Sequence, residues 1–547
     1  MSLKNALSRD RLAAWQSRRR LGRLARQVAE QEKRRPRRPG QAPVVVFNAS
    51  TRLTGLSQNA AFALLAAWGL RLSGAPVVHF VSQAGLRPCV LGTNREDYTA
   101  PPPCEGCIAQ SRRLYSRAGV SWFGYQEDPA LASALQGLGV EALEAFETGL
   151  QLPGRRLDLP LGRLALPSLR WALRRHSLPD DEPTRYLYRQ YILSAASTAR
   201  QFAALVEREQ PAAALIFNGL LYPEAAARAV AQAYGLPVVT HEVGMQRLSA
   251  FFSRGEATAY PIHIPESFEL TPAQNARLDA YLENRFQGKF TMAGIRFWPE
   301  MQGLDEAFLR KAAGFRQVVP VFTNVVYDTS QVHANVLFPH MFAWLEAVLK
   351  LVRSHPETLF VLRAHPDEMR PGSKKQSRES VRDWVRANGV DRLDNVVFID
   401  SQEYLSSYEL VGRSKFVLLY NSSIGLEAAL LGKAVLCGGR ARYTQYPMVY
   451  FPASQEDFCR QAEELLQAGE IEVPPEFRRN ARRFLYYQLY RASLPLDRYL
   501  ESAPRAGFVQ LRPFSWQDLL PENSPALRVI VEGILEGAPF LLPEEGA

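Results

Sequence analysis

Among 547 residues there are only five cysteines. So few, and an odd number, exclude a disulfide framework and favour a reducing compartment, so the chain is expected in the cytoplasm. Long apolar runs are missing too. The longest clear one, Ala60 to Leu70, is far too short to span a bilayer. The basic N-terminus carries no apolar segment of the kind found in a secretory signal. No internal repeat is visible, and no long biased segment outside residues 1–40. These absences argue against a membrane-spanning protein, a disulfide-stapled one and a repeat array. What remains has a hydrophobic fraction of 47%, that of a globular protein, and is long enough for two domains with extensions.

Charge is unevenly placed. Residues 1–40 hold 13 Lys and Arg against Asp10, Glu30 and Glu32, a net of +10. The whole chain is also +10, so residues 41–547 are close to neutral. Leu3, Leu7, Ala14, Leu21, Ala25 and Val28 recur at helical spacing, with Trp15 and Leu24 nearby. A basic amphipathic helix of this kind is predicted to lie on an anionic membrane surface, with Lys33 to Gly40 as linker. A solvated arm would have the same composition. Nucleic acid is not expected as a partner, because no aromatic-interleaved basic surface continues into the rest of the chain.

After residue 310 the pattern is strand, helix, strand. Strands are predicted at 318–324, 358–364, 395–399, 415–420 and 434–437, with a helix over 335–352 between the first two and a polar helix after the second. Strands alternating with helices give a parallel, doubly wound sheet, whose ligands sit beyond the carboxyl ends of the strands. Asn324, Asp328, Arg363, His365, Asn421, Ser422, Ser423 and Glu427 all fall at or just after those ends. The stretch Tyr420-Asn421-Ser422-Ser423-Ile424-Gly425-Leu426-Glu427 is the most specific. Its helix start offers N–H groups and hydroxyls to a phosphate, and Glu427 lies one turn in, where a carboxylate can take ribose hydroxyls. An ordinary N-cap with an acid near the helix dipole would use the same residues. A capping box would not, since its acid belongs at Leu426.

Thr323-Asn324-Val325-Val326-Tyr327-Asp328, Arg363-Ala364-His365-Pro366 and Asn421-Ser422-Ser423…Glu427-Ala428…Gly432-Lys433 resemble the C-terminal domain of bacterial capsule-polysaccharide biosynthesis glycosyltransferases, the family related to capsular Kdo transferases. The resemblance covers residues 315–460 well and the N-terminal half more loosely. It implies an α/β fold of two Rossmann-like doubly wound domains (GT-B), a nucleotide-sugar donor and a polysaccharide or glycolipid acceptor. It also implies a metal-independent transfer, which the basic arm and the scarcity of cysteine would place at the inner face of the cell membrane. Lys433 joins Arg363 and His365 as a candidate for charge on the leaving phosphate.

The N-terminal half agrees in outline. Strands predicted at 43–48, 76–81, 212–217 and 236–240 lead into Asn48, Asn218-Gly219 and His241-Glu242-Val243-Gly244. An inverting transfer needs a base, and His241 and Glu242 are the candidates. Asn48, Asn218, Gly219 and Gly244 are placed on the acceptor side. The expected layout is an arm and linker over 1–42, an acceptor domain over 43–310 with a helical insertion at about 105–210, a nucleotide-sugar domain over 311–475, and C-terminal helices over 476–547 that return to the first domain.

Cys104 and Cys107 have a metal-chelating spacing, and Cys89 or His79 could help complete a zinc site. Buried thiols are the plainer reading, so no cofactor is expected. Two other functions fit the donor motifs: a nucleotide-sugar 2-epimerase, and a non-catalytic assembly subunit held at the membrane.

Overall fold

The computed structural model describes residues 3–35, 41–49, 55–152, 155–286, 302–370 and 376–544, with side chains of the first helix described from Trp15 onwards. Its strands, in chain order, are β1 (Val44–Phe47), β2 (Val77–Ser82), β3 (Gly119–Phe123), β4 (Thr148–Leu152), β5 (Arg155–Leu159), β6 (Ala213–Phe217), β7 (Val238–Val243) and β8 (Ser249–Ser253) in the first half. The second half holds β9 (Gln317–Phe322), β10 (Thr358–Arg363), β11 (Val396–Ile399), β12 (Val417–Leu419), β13 (Val435–Cys437), β14 (Leu494–Pro495), β15 (Leu500–Ser502) and β16 (Val509–Leu511).

Two sheets organise the chain. The first has the order β14-β8-β7-β6-β1-β2-β3, parallel from β3 to β7, with β8 and β14 added antiparallel. The second is wholly parallel, in the order β11-β10-β9-β12-β13. This is the expected class, two doubly wound α/β units. The central strands are short apolar runs such as Val44-Val45-Val46-Phe47, buried along their whole length. That pattern follows from helices covering both faces of a parallel sheet.

Helix Gln58–Leu72 shows the same logic. It is apolar all round because β-strands and the C-terminal helix Pro525–Leu535 enclose it, and 14 of its residues are buried. Ser57 caps it, accepting from the Ala60 N–H at 3.1 Å. The other face of the first sheet is packed by helices Leu161–Leu173, Glu182–Glu209 and Tyr222–Ala233. Helices Met341–Ser354 and Gln455–Gln467 cover one face of the second sheet, and Ile424–Leu430 with Pro475–Tyr486 the other.

Three expectations are corrected. Residues 105–210 are not purely an inserted helical segment, because β3 is the edge strand of the first sheet and helix Glu182–Glu209 is part of its core. The helix expected over 335–352 starts six residues late and spans Met341–Ser354, with a separate one-turn helix, Gln331–Ala334, ahead of it.

The third concerns the basic arm. Its helix, Leu3–Arg34, does form, yet Leu21, Leu24, Ala25, Val28 and Ala29 are buried against the first domain. Arg20 donates to the Leu511 carbonyl at 2.9 Å, Ser17 accepts from the Leu511 N–H at 3.1 Å, and Glu32 pairs with the buried Arg71 at 2.6 Å. The apolar stripe from Leu21 onwards is therefore spent on protein and is not free for lipid. The side chains of Leu3, Leu7 and Ala14, and most of the proposed linker (36–40), lie outside the described residues. No described helix is long and apolar enough to cross a membrane.

Candidate functional site

The carboxyl ends of β9, β10, β12 and β13 open on a cavity of about 350 Å³. Asn324, Asp328, Arg363, His365, Asn421, Ser422, Ser423 and Glu427 all line it. The parallel order of the sheet brings these separate loops to one edge. Asn324 donates from Nδ2 to Asn421 Oδ1 at 2.7 Å, tying the loop after β9 to the loop after β12. Behind them the Tyr443 hydroxyl donates to the Ser422 carbonyl at 2.6 Å. A Cβ on Gly425 would come within 2.2 Å of that hydroxyl, so only glycine lets the helix start pack there. The Ser423 hydroxyl makes no cap bond to its own helix and lies exposed on the cavity wall.

His365 accepts the Asp367 N–H on Nδ1 at 3.1 Å. Burial holds the ring below the ordinary histidine range, against the pull of Asp367 and Asp328. A neutral ring whose Nδ1 accepts carries its proton on Nε2, the nitrogen left to donate. Arg363 is buried, and burial draws it down to about 10 despite the opposing field of Glu403.

Glu427 differs most from the sequence reading. It is buried, and Oε1 takes both Nε (2.9 Å) and Nη2 of Arg285. Burial works against the charge on Arg285, but Glu427 outweighs it and holds the guanidinium above its ordinary range. The carboxylate is thus engaged before any ligand arrives, with the Tyr408 side chain as a further hydrogen-bond partner. Lys433 is misplaced. It precedes β13, at the amino edge of the sheet, where Nζ donates to the Ser414 carbonyl at 2.8 Å. It does not line the cavity.

A second cavity of about 370 Å³ adjoins the first, and the two share Thr258, Asp328, Ser330 and Arg442 in their walls. Asn48, Asn218 and Glu242 line it from the first sheet. Asn218 donates to Glu242 and accepts the Leu220 N–H at 3.1 Å. Both Asn218 (φ 60°) and Gly219 (φ 81°) are left-handed, which turns the chain sharply after β6. Gly219 does not reach the cavity. Gly244 also fails to reach it. A Cβ there would meet the Ser249 hydroxyl at 2.3 Å and the Ser493 hydroxyl at 3.0 Å, so the glycine leaves room for those two side chains.

His241 is the main correction. The strand expected to end at Thr240 runs on to Val243. Side chains alternate along it, so adjacent residues cannot share a face. Glu242 faces the cavity, whereas His241 is fully buried between Phe217 and Phe252, with no hydrogen bond to either ring nitrogen. Burial pushes its pKa down to about 3. His241 cannot act as a base on a ligand in the cleft.

Sequence reasoning missed Arg285, His333, Tyr408, Arg440, Arg442 and Tyr443, all in the wall of the first cavity. Arg440 and Arg442 follow the carboxyl end of β13, so the strand-end rule that found the others applied to them as well. Arg285 comes from helix Pro272–Phe286, which no strand-end rule reaches. His333 Nε2 meets Thr258 Oγ1 at 2.8 Å, and Nδ1 lies 3.2 Å from Glu256.

The suggested zinc site finds no ligand set. Cys104 and Cys107 lie in the first turn of helix Cys104–Leu114. His79 is buried against Tyr115. Burial raises Cys89 to about 12, which disfavours the thiolate. Among the described residues no group of three or more His, Cys, Asp or Glu is placed to hold a metal ion.

Two doubly wound α/β units with adjoining cavities at their strand ends are the architecture expected from the sequence. Residues 302–449 match the family described as capsule polysaccharide biosynthesis protein, as the motifs in that segment led us to expect. No curated protein matches the chain. Among solved structures, it is similar to the KpsC β-Kdo 2,4 transferase of Thermosulfurimonas dismutans at 13% identity and a TM-score of 0.34, over 52% of this chain and 81% of that one. The β-Kdo 2,7 transferase of the same organism gives 12% and 0.32, over 58% and 86%. The UDP-GlcNAc 2-epimerase of Neisseria meningitidis, bound to UDP-GlcNAc, gives 15% and 0.24, over 54% and 80%.

Proposed function

We propose that the chain is a glycosyltransferase that moves a sugar from a nucleotide-sugar to a growing surface or capsular polysaccharide, or to a glycolipid acceptor. The observation that carries this reading is the pair of adjoining cavities, one at the strand ends of each sheet, with Asp328 at their junction. The family match over residues 302–449 supports the same class of chemistry.

In this reading the second domain holds the donor. Ser422, Ser423, Asn421 and Asn324 face the nucleotide, and the Glu427 carboxylate accepts from the ribose beside its bond to Arg285. Arg363 and His365 Nε2–H meet the negative charge that develops on the leaving diphosphate, with Arg440 and Arg442 close by. Those groups make a metal unnecessary for leaving-group charge. The first domain holds the acceptor, with Glu242 as the base that takes the proton of the attacking hydroxyl. Asn218 holds the Glu242 carboxylate in place. The reaction would take place in the cytoplasm, at the inner face of the cell membrane, where the acceptor is assembled.

A 2-epimerase would need the donor cavity alone. The second cavity, as large as the first, favours transfer to a separate acceptor. The test is a panel of nucleotide-sugars screened by thermal shift, followed by turnover with the best. Glu242→Gln should keep donor binding and lose transfer by roughly two to four orders of magnitude. Full turnover by that variant would exclude Glu242 as base. Conversion of the donor alone to an epimer would favour the 2-epimerase, and binding without any turnover would favour an assembly subunit.

A further inference from the structure

A third cavity, of about 600 Å³, shares no residue with the cleft. It lies between the N-terminal helix Leu3–Arg34, the helix Cys104–Leu114 and the β15–β16 hairpin. These segments are far apart in sequence but firmly joined. Arg20 and Ser17 bond the Leu511 backbone, and the Val509 N–H donates to the Leu56 carbonyl at 2.9 Å. Leu21, Leu56 and Phe508 form an apolar floor. Arg18, Arg112, Arg113 and Arg505 stand on the walls, all of them exposed. No carboxylate lines the groove, and among the described residues none of the four is paired with one. Arg505 lies 4.5 Å over the Phe508 ring, joining wall to floor.

We propose that this groove is a docking site for an anionic membrane phospholipid, with the headgroup phosphate held by the arginines and the first methylenes of the acyl chains on the apolar floor. It rests on the membrane-side placement proposed above and gives it a location. Guanidinium groups bind phosphate oxygens in pairs and remain charged at any physiological pH. A cavity of this size suits one glycerophosphate head with the start of its chains. The surroundings fit a membrane better than a soluble ligand. Trp15, one turn before the groove-lining Arg18 on the same helix, is 51% exposed with Arg19 4.5 Å over its ring, and an indole ring is at home at the boundary between headgroups and hydrocarbon. Arg19, Arg23 and Arg26 continue the exposed basic face along the helix. The site also accounts for a basic arm whose own apolar stripe is buried in protein: the arm builds one wall of the groove and supplies charge around it. An apolar floor is the wrong surface for the sugar–phosphate backbone of a nucleic acid.

The test is co-sedimentation of the full chain with vesicles of phosphatidylcholine alone or mixed with phosphatidylserine, at low and high salt. Wild type should bind the anionic vesicles at low salt, bind less at high salt, and leave the neutral ones in solution. The variant R112E/R113E/R505E should bind at least a hundredfold more weakly, at roughly fivefold per arginine lost. R19E/R23E/R26E makes the same charge change outside the groove and should lose clearly less. If the groove variant does not fold, as judged by melting, R113Q and R505Q should each show the smaller loss. Failure of wild type to bind anionic vesicles overturns both the groove and the membrane-side placement. Equal losses in the two triple variants, or none in the groove variant, overturn the groove alone. Release by millimolar inorganic phosphate or by an oligonucleotide would assign the site to a soluble phosphoryl ligand or to nucleic acid instead.

Discussion

Replacing Glu427 with alanine should do more than open a space in the first cavity. It leaves the guanidinium of Arg285, with its side chain only 5% exposed, buried without its carboxylate. Breaking a buried ion pair from one side costs about 3–5 kcal/mol, because the remaining charge is desolvated and uncompensated. For a domain of this size that corresponds to a fall in melting temperature on the order of 10 °C. Loss of nucleotide affinity in this variant would therefore be ambiguous, since the cavity wall itself is weakened. The double variant R285L/E427L separates the two effects. Replacing a buried pair with apolar side chains of similar size is often close to neutral, so most of the lost stability should return. If the Glu427 carboxylate also holds a ribose, nucleoside diphosphate affinity should stay about 1–3 kcal/mol weaker in the refolded double variant. Melting curves and calorimetric titration with a panel of nucleoside diphosphates measure both. A Glu427→Gln variant that melts like wild type would refute the ion pair. A stable double variant with wild-type affinity would refute the ribose contact.

Two further outcomes follow from burial. His241→Phe should be tolerated, at under about 1.5 kcal/mol, because the ring already sits between Phe217 and Phe252 and makes no hydrogen bond; a folded variant without turnover would return His241 to the mechanism. Glu368 is fully buried with Oε1 accepting the Val381 N–H at 2.8 Å, and burial raises its pKa to about 8. The unfolded chain releases that proton near the ordinary value of 4.5 and the folded chain holds it to about 8. Its stabilising contribution is therefore complete below 4.5 and is lost as pH rises towards 8. Glu368→Gln should flatten the fall in melting temperature across that window, and an unchanged pH profile would show that the carboxyl is not held protonated.

Much of the first cavity's edge was legible because its code is local. A parallel strand must be apolar, its carboxyl end must open into a loop, and polar residues placed there share one edge of the sheet. That reasoning located Asn324, Arg363, His365 and the Asn421-Ser422-Ser423 turn. The same rule, applied carefully, rejects Lys433, which precedes its strand. His241 shows how narrow the margin is. β7 runs three residues further than expected, so the two neighbours offered together as bases lie within the strand, alternate in direction, and only one of them faces the cleft.

The sequence by itself determined the two α/β units, the concentration of basic charge in the first 40 residues and most of the polar residues at the edge of the second sheet. Each is written in composition or in short-range periodicity. Tertiary structure decided what those features do. Arg285 reaches Glu427 from a residue 142 positions away, which no periodicity records. The arm's apolar stripe had two available partners, lipid or protein, and amphipathicity is the same for both. Only the packing of Leu21, Leu24 and Val28 against the first domain shows that protein took it. The arginine groove likewise joins residues near positions 18, 112 and 505, brought together by β15–β16 pairing and by bonds to the Leu511 backbone. Long-range contacts of this kind depend on which surfaces meet once the chain has collapsed, and that choice is made by the fold as a whole.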